Sequence, residues 1–564
     1  MIRNEIKKLI QEAAKSHWDI DLELAEIKTD YPPEGFGDYS TNVAMMLAKT
    51  AKSNPMEIAE DIAEHLQKSD LFEDIKVVKP GFINFYLSPE ILQQAIIDIN
   101  ERGDEFGNLE EKKEKVMVEY SQPNTHKEFH IGHLRNVFIG NVLVNVLKKA
   151  GYDVIAANYI GDTGTHIAKC LWALNKFHAN ENIEKEPNKT EFLGKVYSEA
   201  VRAIEENPEY EKEFKETQKK FEQGDKDLME LWKKTRQWSL DEFESIYKEL
   251  GISFDVYFYE SEEETAGKKM IPELVKKGIA KESDGAVIAD LENYDLGILV
   301  LLRSDGSALY GLKDISLAIK KFEEYGIDTN IIVADIRQNL YFQQIFKIME
   351  LMGFKQEMAH IGYGFVSLKG GGGMSSRKGN IIPARKLLSD VAEEVKKKFP
   401  QTPVPNEIGQ GAVKFYMLRH SNESNIEFDI NESIKIEGAT GPYLQYAYAR
   451  ISGILRKGAE NLSGNINFSD KLNLLTGQDE INLIRKLMVF PEIIEDVARS
   501  YQPHRLAQYA LELVRAFHKF YESSKVIDEV NVNLTQARLA LVKAAQVVLK
   551  NTLDLMGISA PEKM

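Results

Sequence analysis

Residues 115–136 read KVMVEYSQPNTHKEFHIGHLRN. Val116, Val118 and Tyr120 alternate with Met117, Glu119 and Ser121, the period of a strand, and the carboxyl end of that strand leads through a loop into a helix. A second strand-like stretch, Tyr152–Asn158, follows the helix. Strand, loop, helix, strand is the βαβ unit of a parallel sheet, whose ligands sit at the carboxyl ends of its strands. His130 and His133 flank Ile131 and Gly132 where the loop enters the helix. A helix start presents free N–H groups and partial positive charge, which suit a phosphate. Two imidazoles there can donate to phosphate oxygens as charge redistributes at an α-phosphorus. Gly132 leaves room for a base or sugar to approach the backbone.

The same spacing also fits a pair of surface histidines or an incidental metal site. A second signal decides between them. Residues 370–380, GGGGMSSRKGN, form a glycine-rich loop with hydroxyls and cations. Its amides, Ser375 and Ser376 suit phosphate oxygens, while Arg377 and Lys378 can offset charge. Alone it fits a flexible surface loop. In this chain order, with α/β patterning between the two elements, it predicts a nucleotide site.

Residues 1–110 read as an α+β unit. Ile6, Ile10 and Ala13 share one helical face, the turn-rich DYPPEGFGDYST follows, then an apolar helix around Val43–Leu47 and a strand over Phe82–Leu87. The charged run Glu110–Glu114 reads as a linker. About 172–250 reads as a charged helical insertion, either a solvated excursion or an element with a specific role. The α/β pattern resumes with strands at Ile298–Leu302 and Ile331–Val333. From Gly438 the pattern is helical, with amphipathic runs at Arg505–Val526 and Leu534–Leu555. No internal repeat is visible.

At 564 residues several cores are expected. A formal charge of −17 argues against a protein that coats nucleic acid, so any RNA contact must use local basic surfaces. One cysteine, Cys170, excludes an internal disulfide and a cysteine-rich zinc site. The amino terminus lacks a secretory apolar core, and no stretch approaches the roughly 20 apolar residues of a membrane span. A cytoplasmic protein with no membrane association is expected.

The two signatures resemble HIGH and KMSKS of class I aminoacyl-tRNA synthetases. HIGH is intact at His130–His133; Gly373-Met374-Ser375-Ser376-Arg377 aligns with KMSKS and carries neither lysine. Lys369, Arg377 and Lys378 are the nearby cations that could replace the second one. EYSQPN with HKEFHIGHLRN, NYIGDTGTH, LYGLKD and DIRQNLYFQQ resemble the arginyl family in particular. A guanidinium has five donors in a plane and calls for carboxylates and neutral acceptors. Glu119 lies in the strand before HIGH, Tyr310 and Asp314 are i and i+4 on one helical face, and Gln338 follows the strand-like IIVAD.

The resemblance implies that Glu119 and Asp314 bind the guanidinium, that Tyr310 and Gln338 complete its pocket, and that Asn124 and His133 hold the other end of arginine. Ser121 and Gln122 join that set. ATP would lie on His130, Gly132, His133, Met374, Ser375 and Ser376, with Lys127 beside His130, His133 and the loop cations as catalytic candidates. GDYSTNVAMMLAK and KPGFINFYL resemble the family's amino-terminal domain, and imply tRNA contacts at Phe82, Asn84 and Phe85. GPYLQYAYARI and the helices after it resemble its anticodon-binding domain, with Tyr443, Tyr446 and Arg450 as RNA contacts.

The implied architecture is multidomain α/β. A Rossmann-like parallel-sheet catalytic domain (111–437) lies between an N-terminal α+β domain (1–110) and an all-α anticodon-binding domain (438–564). The implied activity is arginine–tRNA ligation by a monomer, with ATP, L-arginine and tRNA(Arg) as partners and Mg2+ accompanying the triphosphate. No metal site in the protein itself is expected. The alternatives are another class I synthetase and a non-catalytic tRNA-binding paralogue, which the eroded second signature motivates.

Overall fold

A computed structural model of the chain describes residues 1–33, 35–370, 382–461 and 469–564. Its central sheet grows from the stretch quoted first. β1 (Lys115–Glu119) leads through the loop into α1 (Ile131–Lys149), and β2 (Asp153–Ile160) returns beside β1. The other strands are β3 (Val256–Tyr259), β4 (Thr329–Asp335) and β5 (Glu357–Tyr363). Their order is β5-β4-β1-β2-β3, and every neighbouring pair is parallel. The expected parallel sheet is therefore present, and the carboxyl ends of β1, β2 and β4 open on one rim. Val116, Met117 and Val118 are all buried, as a strand covered on both faces requires.

One strand falls elsewhere. Ile298–Leu302 does not extend the parallel sheet; it pairs antiparallel with Ala286–Asp290, which pairs antiparallel with Ala280–Ser283. Its open edge leaves Ile298 and Val300 exposed. Apolar composition made it look like a core strand, yet only Leu301 is fully buried.

The insertion folds as helices Lys189–Glu206, Pro208–Glu222 and α2 (Lys226–Leu250). It is more than a solvated excursion: Thr235, Ser239, Phe243 and Tyr247 of α2 are buried. α3 (Tyr310–Tyr325) precedes β4. The amino-terminal unit is a four-stranded antiparallel sheet flanked by helices, and the carboxyl-terminal part is a helical bundle. These two ends of the chain meet. Glu492, 1% exposed on the bundle helix Phe490–Ser500, accepts from the Arg3 amide at 2.8 Å, Tyr31 OH at 2.6 Å and Tyr39 OH at 3.1 Å. Among the described residues no helix is long and apolar enough to cross a membrane.

Candidate active site

His130 is the N-cap of α1. Its Nδ1 accepts from the Gly132 amide at 3.1 Å, and the His133 Nδ1 accepts from the His130 amide at 3.2 Å. The rings stack with centroids 3.8 Å apart. Because each Nδ1 is an acceptor, the proton of each neutral ring sits on Nε2. Burial and the nearby Lys127 charge push His130 down to about 4. Burial, then His130 and Lys127, drive His133 well below the usual histidine range. Both rings are thus neutral Nε2–H donors near neutrality.

This corrects one expectation. The first amides of α1 are not free: Ile131 N–H donates to the Ile382 carbonyl at 3.2 Å, Gly132 N–H to His130, and His133 N–H to the His130 carbonyl at 2.9 Å. The donors left for a phosphate are imidazole edges. The space at Gly132 is also already used, since a Cβ there would lie 3.1 Å from the His130 ring.

Beside this helix start lies a cleft of about 490 Å³. Glu119, Ser121, Gln122, Asn124, His133, Tyr310, Asp314 and Gln338 all line it. Residues scattered from β1 to the turn after β4 are therefore brought to one place. Glu119 is not an open carboxylate: buried Lys321 pairs with one oxygen and Gln122 Nε2 donates to the other at 2.6 Å. Asp314 accepts from Tyr341 OH, and the described cation that acts on it, Lys321, is the one paired with Glu119. Burial, reinforced by Glu119 and Glu260, raises Asp314 to about 7. Glu260 faces the same cleft and is also raised to about 7 by burial, against the opposing pull of Lys313 and of the Thr163 hydroxyl at 3.1 Å. The cleft thus holds acidic groups, poised near neutrality, beside two imidazole donors.

Glu260, Lys321 and Tyr341 were not anticipated. Tyr341 stands in the quoted DIRQNLYFQQ, and Lys321 follows Lys320 on a helix whose buried side is largely apolar but also holds Lys313 and Ser316. A lysine on that face is a signal, because burial needs a counter-charge.

Comparison with known proteins bears on the same segments. The family model described as "tRNA synthetases class I (R), catalytic domain" matches residues 95–430, more than half of the chain. The chain belongs to the class I arginyl-tRNA synthetase family. The family's N-terminal domain model matches 2–87 and the DALR anticodon binding domain matches 444–564. The arginine–tRNA ligase of Halothermothrix orenii is 36% identical over 99% of both chains, and that of Bdellovibrio bacteriovorus 34% over 94% of this chain and 93% of its own. The solved structure of Thermus thermophilus arginyl-tRNA synthetase superposes with TM-score 0.84 at 26% identity over 100% of both chains. The Plasmodium falciparum enzyme has the same fold, with TM-score 0.84 at 24% identity over 100% of this chain and 99% of its own.

The other positions anticipated from the arginyl synthetases divide. Phe82 is 40% exposed, but Phe85 is fully buried and Asn84 is 5% exposed with Oδ1 accepting from the Ser40 hydroxyl at 2.7 Å. Phe85 is a core side chain on the face of Ile83 and Leu87 and cannot stack on a base, while Asn84 is largely buried with its Oδ1 engaged by Ser40. Tyr443, Tyr446 and Arg450 lie at i, i+3 and i+7 on the helix Gly441–Asn461. Tyr446 is exposed, Arg450 sits over the Tyr521 ring, and half-buried Tyr443 shares its hydroxyl with His518 Nδ1 at 3.0 Å. Lys127 lies with its ammonium 5.7 Å from the Tyr197 ring centroid. Lys369 is exposed, and its ammonium pairs with Asp429 at 2.8 Å. Met374, Ser375, Ser376, Arg377 and Lys378 lie outside the described residues.

Proposed function

We propose that this member of the family activates L-arginine with ATP to an adenylate and transfers it to the 3′ end of tRNA(Arg). The observation that carries the reading is the shared cleft. Asp314, with Glu260 and the engaged Glu119, lines the same cleft as His133, so a cationic side chain and a reacting carboxylate can be held at one time. Asp314 faces the guanidinium, Tyr310 and Gln338 border it, and Ser121, Gln122 and Asn124 hold the α-amino and carboxylate end. Arginine's carboxylate attacks the α-phosphorus and pyrophosphate leaves. The Nε2–H groups of His130 and His133 donate to phosphate oxygens as charge moves, which needs no covalent enzyme intermediate. A terminal ribose hydroxyl of tRNA then attacks the carbonyl, and AMP leaves.

Mg2+ enters as the counter-ion of the triphosphate and belongs to the substrate. Lys127, whose charge acts on both imidazoles, serves the triphosphate, with Arg377 or Lys378 as further cations. Phe82, Tyr446 and Arg450 are the exposed RNA contacts. The chain works as a monomer in the cytoplasm. ATP–pyrophosphate exchange across all twenty amino acids, with and without total tRNA, tests the reading; exchange supported by another amino acid, or by none, refutes it. The exchange also decides against a non-catalytic paralogue, a reading the complete imidazole pair already disfavours.

A further inference from the structure

The insertion is the part of the sequence with no family-specific motif, yet its last helix bonds the loop whose Ser121 and Gln122 line the cleft. The loop between β1 and α1 carries three non-glycine residues in left-handed backbone: Ser121 at φ 76°, Gln122 at 49° and His126 at 63°. Such a conformation is costly for L-residues and persists only where the surroundings over-determine it. Here α2 supplies much of that determination.

His126 is bound twice. Its amide donates to Ser239 Oγ at 3.0 Å, and its Nε2 lies 2.7 Å from Thr235 Oγ1. Thr235 spends its own proton on the Leu231 carbonyl at 2.8 Å, so its oxygen accepts from the imidazole Nε2–H. Burial keeps that imidazole neutral. Thr235 and Ser239 are i and i+4, one face of the helix reading one residue of the loop.

Tyr247, two turns further along, is a second anchor. Asn158 Nδ2 donates to its hydroxyl at 3.1 Å, which leaves the phenolic proton for Ser121 Oγ at 2.6 Å. Asn158 in turn accepts from the Gln122 amide at 3.2 Å. Every side chain in both anchors is buried. Apolar residues would fill the same volume, but they would let the loop relax to ordinary right-handed backbone. Directed hydroxyls do not.

We propose that Tyr247, Ser239 and Thr235 are positioning residues for the reaction: α2 braces the loop so that Ser121 and Gln122 face the amino acid and His126 sets the path into His130. The proposal rests on reading the cleft as the amino-acid site. Tyr247→Phe keeps the ring volume and removes the hub of the Ser121–Asn158–Gln122 bonds. It should raise the KM for arginine on the order of tenfold and leave the KM for ATP within about twofold. Thr235→Val keeps shape and removes the acceptor, so kcat should fall several-fold, while Thr235→Ser should restore it. Ser239→Ala, the loss of a single oxygen, is a further variant that keeps the fold and should repeat the kcat effect.

The assay is exchange with total tRNA, beside thermal midpoints. Midpoints that drop while kcat and the amino-acid KM stay within about twofold in Tyr247→Phe, Thr235→Val and Ser239→Ala would make α2 a mere packing element and overturn the proposal. If wild-type exchange depended on a different amino acid, the function above would fall. The same comparison made with that amino acid would still decide the role of α2.

Discussion

Arginine binding should depend steeply on pH, and the structure gives the direction and size. Asp314 in the empty cleft is raised to about 7, first by burial and then by Glu119 and Glu260, while the Tyr341 hydroxyl pulls the other way. The guanidinium stays charged throughout and pairs with the ionised carboxylate. The fraction ionised is about 0.1 near pH 6 and about 0.9 near pH 8, so an affinity scaled by the competent fraction rises about tenfold across that window. If Glu260, also raised to about 7, must ionise as well, the gain approaches roughly a hundredfold. Binding therefore releases protons, and the curve flattens above about pH 8. His130 and His133 stay neutral over this range and should not distort it.

The free protein should show the converse in its stability. A carboxyl whose folded pKa exceeds its unfolded one binds protons in the native state that the unfolded chain does not hold. Stability is therefore lost as pH rises from about 4 to 7, and arginine should restore more of it near pH 8 than near pH 6. The measurements are the KM for arginine in exchange at a series of pH values, with the KM for ATP as control, and calorimetric titration in buffers of different ionisation enthalpy. Asp314→Asn should flatten the profile and weaken arginine by ~1.5–3 kcal/mol at the high-pH end. An arginine KM that is constant within about twofold between pH 6 and 8, or that rises with pH, would refute the reasoning.

Three further outcomes follow from the same geometry. His133→Ala should slow adenylate formation by on the order of 10²–10³, the usual loss of a preorganised donor, and a near-normal exchange rate would return His133 to a purely capping role. Lys369→Ala should cost less than about tenfold in kcat because its ammonium is already engaged by Asp429, whereas Lys378→Ala should cost more; the reverse order would move the missing charge to Lys369. Phe82→Ala should raise the KM for tRNA several-fold with stability unchanged, while Phe85→Ala should lose roughly 3–5 kcal/mol of stability and leave the KM for tRNA of the folded enzyme unchanged. Equal effects of both on tRNA would dissolve that contrast.

The contrast at Phe82 and Phe85 shows where sequence reading stops. The strand Phe82–Leu87 was legible, and its period of two puts Ile83, Phe85 and Leu87 together on the covered face. The family resemblance pointed to the strand as a whole and could not say which face meets solvent. At the cleft, periodicity placed Glu119 in a strand and Tyr310 with Asp314 on one helical face, and the resemblance joined them to Gln338. Glu260 was hidden because it opens a helix in a run with Glu262, Glu263 and Glu264, where acids at a helix start are ordinary. Lys321 was hidden beside Lys320: one serves Glu119, the other Glu263, and only the rotation of α3 against β1 separates them. Of the sealed amides of α1, that of Ile131 depends on the Ile382 carbonyl, a contact far along the chain that no local pattern encodes, whereas His130 itself closes those of Gly132 and His133. The brace from α2 was masked by composition, since the charged outer faces of the insertion dominate a helix whose inner face carries hydroxyls.

The division of labour between the two carboxylates of the cleft follows from their partners. Glu119 meets Lys321 and Gln122 before any substrate arrives, so it adds geometry and remaining lone pairs more than unmatched charge. Asp314 accepts from a phenol, and Lys321, whose charge also reaches it, is already paired with Glu119. Leaving it ionised in the empty cleft would place an uncompensated charge in a buried site, and the raised pKa is the escape from that cost. Near pH 7 the empty cleft is thus only partly ionised at Asp314 and Glu260, and a guanidinium that entered it would draw both toward the charged form. A lysine substrate would present a compact ammonium and would give up the planar fork that can bridge Asp314 to the neighbouring acceptors. An uncharged side chain would leave the titration of Asp314 near 7 and gain no ion pair. If Asp314 binds the guanidinium as proposed, selection for arginine and sensitivity to pH are one property of that residue, and a variant that keeps one should not lose the other.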